Sequence, residues 1–100
     1  NFMFVVIQYA DDSIDILFES FLQDIKRNGT SITVKMEFKT YLQAETYVKA
    51  RYPYIIVGDK KSKYIISSKD WSKNSKKYFV RAFESFEKAH LYLEKEEKVE

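Results

Sequence analysis

The chain has 100 residues, 45% apolar and 32% charged, with a net charge of +2, the composition of one soluble domain that can bury its own core. It has no cysteine and only two glycines, Gly29 and Gly58, which excludes disulfides, thiolate metal sites, cysteine catalysis and glycine-rich phosphate loops. No apolar run approaches the ~20 residues of a membrane span, and Phe2–Ile7 is too short and lacks the basic flank of a secretion signal. A cytoplasmic protein with no cofactor and no membrane partner is therefore expected. Asn1 and Phe2, ahead of Met3, are read as remnants before the start of the domain.

Phe2–Tyr9 is an apolar, β-branched run and reads as a buried strand. Asp11, Asp12 and Ser13 offer a helix N-cap and acids that complement the helix dipole. Ile14, Leu17, Phe18, Phe21 and Ile25 follow at helical spacing, with Lys26 and Arg27 in the last turn and Asn28-Gly29 as the stop, so a helix is expected there. Ser31–Phe38 alternates, placing Ile32, Val34, Met36 and Phe38 on one face of a strand. Thr40 with Gln43 makes a capping box for a second helix, which Pro53 limits. Tyr54–Gly58 and Lys63–Ser67 read as strands around a turn, Ser68–Lys76 as a polar loop and Lys77–Phe83 as a strand. Ser85 caps a final helix running towards Glu97, with a frayed tail over 97–100. The expected fold is a single α+β domain over 1–100 in the order β-α-β-α-β-β-β-α. About three helices lie on one face of a mainly antiparallel sheet of about four to five strands.

A shift of 45 residues aligns Phe38-Lys39-Thr40-Tyr41-Leu42-Gln43-Ala44 with Phe83-Glu84-Ser85-Phe86-Glu87-Lys88-Ala89, and Tyr47-Val48 with Tyr92-Leu93. Two ordinary strand-to-helix junctions with one capping solution would produce this echo, and so would a duplicated unit. The stretch Lys77–Leu93, with its F-x-(S/T)-aromatic-x-x-A-x-x-Y-(L/V) pattern, resembles part of the hybrid-binding domain at the N-terminus of some ribonucleases H. The resemblance covers 17 residues and implies only a strand leading into a capped helix; no residue takes a role from it.

The charge is segregated. Residues 59–81 hold eight Lys/Arg against two Asp, while residues 1–30 and 82–100 each sum to −3. Aromatic residues interleave with the cations, a composition suited to docking an anionic partner. The candidate partner-binding residues are Lys60, Lys61, Lys63, Tyr64, Lys69, Trp71, Lys73, Lys76, Lys77, Tyr78 and Arg81. The same stretch also reads as a solvated edge whose lysines block strand-to-strand aggregation, with Trp71 as a core anchor, and whether Trp71 points inward or outward is open. Lysine outnumbers arginine seven to one in this stretch, which favours an acidic protein slightly over a short nucleic acid.

The acids Asp11, Asp12 and Asp15 are the one carboxylate cluster and could serve a metal-dependent hydrolase, although helix capping is the better explanation of them. His90, the sole histidine, has no partner in any catalytic motif. The expected function is thus a small non-catalytic binding or regulatory module, with a structural subunit of an assembly as the alternative and the hydrolase as a weaker one.

Overall fold

A computed structural model of the protein describes residues 3–59, 61–72 and 78–98. The strands are β1 (Phe4–Tyr9), β2 (Ile14–Phe18), β3 (Ile32–Phe38), β4 (Tyr54–Gly58), β5 (Lys63–Ser67) and β6 (Tyr78–Phe83). The helices are α1 (Glu19–Arg27), α2 (Tyr41–Arg51) and α3 (Phe86–Lys98), and a single 3-10 turn covers Ser68–Asp70. All six strands form one antiparallel sheet in the order β3-β1-β2-β6-β4-β5. The α+β class is as expected, with six strands instead of four to five.

The extra strand is β2, where the sequence suggests the start of a helix. Ile14–Phe18 pairs with β1 over five rows, and the helix begins only at Glu19. A three-residue loop closes the hairpin, with Asp12 in the left-handed region (φ 68) and Asp11 Oδ1 accepting from the Ser13 amide. Ile14 and Ile16 are buried with Val6 and the α2 residues Ala44 and Val48, while Asp15 between them serves the other side of the sheet. Over so few residues a strand and a helix start share the same apolar positions, and the hairpin partner decides between them.

The sheet consists of one unit repeated. In the first unit, hairpin β1–β2 is followed by β3 on the far side of β1 and then by α2; in the second, β4–β5, β6 and α3 repeat this order. The registers match row by row. Phe4↔Phe18 and Phe4↔Phe38 become Tyr54↔Ser67 and Tyr54↔Phe83, and so on along the strands. Each unit breaks register at one residue, Lys35 in β3 and Val80 in β6, which are 45 positions apart. Thr40 and Ser85 accept from the amides of Gln43 and Lys88 at the same 3.2 Å. Phe38–Tyr47 and Phe83–Tyr92 place their rings 5.4 and 5.6 Å apart. The 45-residue echo is therefore the visible part of a repeat that spans both halves.

The units join edge to edge where β6 runs antiparallel to β2, with Ile14 opposite Ala82. Because β3, the counterpart of β6, runs parallel to β2, the second unit is turned over relative to the first. Its helix lands on the opposite face, contrary to the one-faced arrangement expected. Helix α2 buries Ala44 and Val48 against Val6, Ile14, Ile16, Ile55 and Val57. Helix α3 buries Ala89 against Ile56 and Phe83. Ile55 and Ile56 are consecutive in β4, so these clusters lie on the two sides of the sheet.

The break at Lys35 corrects a second expectation. Met36 and Phe38 lie across from Val6 and Phe4, but Val34 and Ile32 lie across from Ile7 and Tyr9. The alternation of β3 thus divides between the two faces, because one extra residue reverses the side-chain parity.

Gly58 is fixed by close approach. A Cβ there would sit 2.3 Å from the Ser62 carbonyl oxygen and 2.7 Å from Lys63 Cα. Gly29, which ends α1 at φ +76, has open space around it. Gly58→Ala is expected to lower unfolding stability by about 2–4 kcal/mol, and Gly29→Ala by only about 1–2 kcal/mol from backbone strain. Urea unfolding of the two variants checks this; equal losses would mean that the Gly58 turn relaxes freely.

Candidate functional site

The basic stretch divides into three environments. Lys61 lies in the β4–β5 turn, which Asp59 organises by accepting from the Lys61 and Ser62 amides at 2.8 and 2.9 Å. Lys63 opens β5 opposite Gly58, and Tyr78 opens β6 on the other side of the same glycine. Gly58 has no side chain to cover Tyr78, which is 74% exposed. Lys61, Lys63 and Tyr78 therefore gather at one end of three adjacent strands. Lys63 Nζ also donates to Glu96 of α3 at 2.8 Å, and this bond holds the Glu96 carboxyl below its ordinary range. Lys69 is exposed in the 3-10 turn at the other end of β5, and Tyr64 is part-exposed along the β5 edge. Lys60, Lys73, Lys76 and Lys77 lie outside the described residues.

Trp71 is not on this face. It is 2% exposed in the α2-side core, with its ring centroid 5.0 Å from Phe79 and 6.3 Å from Tyr41. The segment is held against the end of α2: the Lys49 ammonium donates to the Trp71 carbonyl at 2.6 Å, and the Ser68 amide to the Pro53 carbonyl at 2.9 Å. In the repeat this segment follows its hairpin as α1 follows the first one. A single buried indole thus seals the α2-side core in the second unit. Burial of so large an apolar surface outweighs the polarity of its neighbours in sequence.

Arg81 works inside the molecule as well. Its guanidinium donates to Asp15 Oδ2 at 3.2 Å across the seam between the units and lies 4.4 Å from the Tyr9 ring centroid and 5.8 Å from that of Tyr92. The Tyr9 hydroxyl donates to the same carboxylate oxygen at 3.0 Å, and the Ile16 amide donates to Asp15 Oδ1 at 2.8 Å. Burial pushes the Asp15 carboxyl upward, and outweighs the downward pull of Arg81, Tyr9 and Ile16. Burial, with the Asp15 charge beside it, lifts the Tyr9 phenol to about 12. Tyr9, Asp15, Arg81 and Tyr92 thus form a half-buried polar cluster that sequence reading misses, because its members are up to 83 positions apart (9 to 92).

The carboxylate cluster disperses. Asp11 holds its own loop, Asp12 pairs with Lys88 of α3 at 2.8 Å, and Asp15 faces Arg81. Among the described residues no three His, Cys, Asp or Glu side chains are placed to hold a metal. His90 is exposed, stacked on Phe86 and 2.9 Å from Glu94 one turn on. No described helix is long and apolar enough to cross a membrane. No protein-family model, curated protein or solved structure matches this chain.

Removing one partner of the Asp15–Arg81 pair strands a poorly solvated charge. Arg81→Met is expected to destabilise the protein by about 3 kcal/mol, and adding Asp15→Leu should recover most of the loss. A carboxyl whose folded pKa is raised favours the folded state at low pH, and that contribution is lost as pH rises through the folded value. The Arg81→Met deficit should therefore be largest near neutrality and shrink in acid. Urea melts at several pH values test both statements; a deficit that does not vary with pH would remove Asp15 from the account.

Proposed function

We propose that the protein is a small non-catalytic binding module that engages an anionic partner, an acidic segment of another protein, at the strand end marked by Lys61, Lys63 and Tyr78. The observation that carries this reading is Tyr78, a large aromatic side chain left 74% exposed across from a glycine, at the strand end that also carries Lys61 and Lys63. An exposed aromatic anchor bordered by cations suits partners that pair an apolar or aromatic residue with carboxylates. The lysine run at 73–77 leads directly into Tyr78 in sequence and adds to the same charge. Burial of Trp71 takes away the best base-stacking group of the stretch, so an acidic protein is favoured over a short single-stranded nucleic acid.

Fluorescence anisotropy with a labelled acidic peptide and with a labelled oligonucleotide tests the proposal. Peptide binding should weaken with salt and fall at least about tenfold when Lys73, Lys76 and Lys77 are reversed to Glu. Trp71 emission serves as the fold control; it should be blue-shifted and unmoved by either ligand. Unchanged peptide affinity in the triple variant would overturn the reading, and preferential binding of the oligonucleotide would move it to nucleic acid.

A further inference from the structure

The repeat leaves the sheet with two edges that match. At the internal seam, β2 of the first unit pairs with β6 of the second. The counterpart of β6 is β3 and the counterpart of β2 is β5, and these are the two outer strands of the sheet. Each molecule thus ends in the two halves of a junction that it already makes once. Among the described residues no strand pairs with either outer edge; β3 leaves Val34 and Met36 exposed, and Tyr64 of β5 is 40% exposed.

We propose that the protein assembles head to tail, with the β5 edge of one copy pairing antiparallel with the β3 edge of the next. Applying the repeat offsets to the seam names the contacts. Ile14↔Ala82 becomes Lys63 opposite Glu37 of the next copy, a cross-strand pair of opposite charge. Asp15 against Arg81 becomes Tyr64 against Met36, a phenol ring against a thioether, each 40–47% exposed in the single chain. Asp12 against Lys88 becomes Lys61 against Gln43, which lines an open groove with Phe38, Leu42, Thr46 and Tyr47. Leu42 on that groove is 67% exposed.

Side-chain directions also agree. Met36 lies across from Val6, and Tyr64 lies across from Val57, so both point to the α2 side. The second unit is turned over relative to the first, so the next copy returns to the orientation of the first. The strands continue one sheet with helices alternating between its faces. Such a contact joins two different surfaces and does not close on itself. The assembly draws on Lys61 and Lys63, which the binding reading also uses, and the Met36→Lys block on the far edge tests it without touching that site.

Sedimentation across a concentration series tests it, with mixing of two blocked variants. Wild-type mass should rise with concentration past twice the 12.0 kDa chain. Met36→Lys blocks the β3 edge and Tyr64→Lys the β5 edge. Each should sediment as a monomer alone, and an equimolar mixture should form a dimer through the two intact edges. Trp71 emission confirms folding of each variant, and Lys63→Glu serves as the second β5 block if Tyr64→Lys fails that check. A wild-type monomer at every concentration overturns the proposal. So does an association that Met36→Lys abolishes and the β5 blocks leave intact, which would join two β3 edges.

Discussion

The seam between β2 and β6 is the contact on which the rest of the molecule depends. Its backbone pairing is a single row, Ile14 opposite Ala82, and side chains complete it. Ile14, Ile16 and Ala82 share the core beneath α2, while on the other face the Arg81 guanidinium spans the seam to Asp15 between the rings of Tyr9 and Tyr92. Lys88 reaches from α3 to Asp12 at the tip of the first hairpin. A three-stranded sheet with one helix covers one face only, and a unit of about 50 residues buries a smaller share of its surface than a larger domain does. Joining them edge to edge removes one open edge from each.

The antiparallel sense of that seam explains the placement of the helices. Turning one unit over puts α2 and α3 on opposite faces, so each unit's uncovered face must be closed from elsewhere. In the second unit, the segment after β5 crosses to the α2 side and inserts Trp71 next to Phe79, tied to Lys49 and Pro53. In the first unit, the segment after β2 is α1, whose residues are at most half-buried. The same connection in the repeat is therefore filled in two ways, by a helix in one unit and by one large side chain in the other. At the second unit's strand end Lys61 and Tyr78 stay exposed, and Lys63 lies there tied to Glu96 of α3.

Several elements were legible because their signals are local. The Thr40/Gln43 capping box, the Ser85 cap, the Asn28-Gly29 stop and the turn after Gly58 each rest on a few neighbouring residues, and all are present. The 45-residue echo was visible where the caps repeat it. It was hidden in the hairpins because they carry offsets of 50 and 49 (4 to 54, 14 to 63) instead of 45. Ile14–Phe18 misled because its spacing fits both a strand and a helix face. The basic stretch misled in another way: composition counts charges, and cannot separate Arg81, committed to Asp15, from Lys61, which is exposed.

By itself, then, the sequence determined the class of fold, most element boundaries, the lack of cysteine and glycine-loop chemistry and the concentration of positive charge in residues 59–81. These follow from composition and from interactions within about one turn or hairpin. Only the tertiary structure decided that Ile14–Phe18 is a strand, that the halves repeat one unit, that the helices lie on opposite faces and that Trp71 is buried. Each depends on which edge meets which edge across tens of residues. The free energy of that meeting comes from burial and charge pairing between segments, which no local pattern encodes.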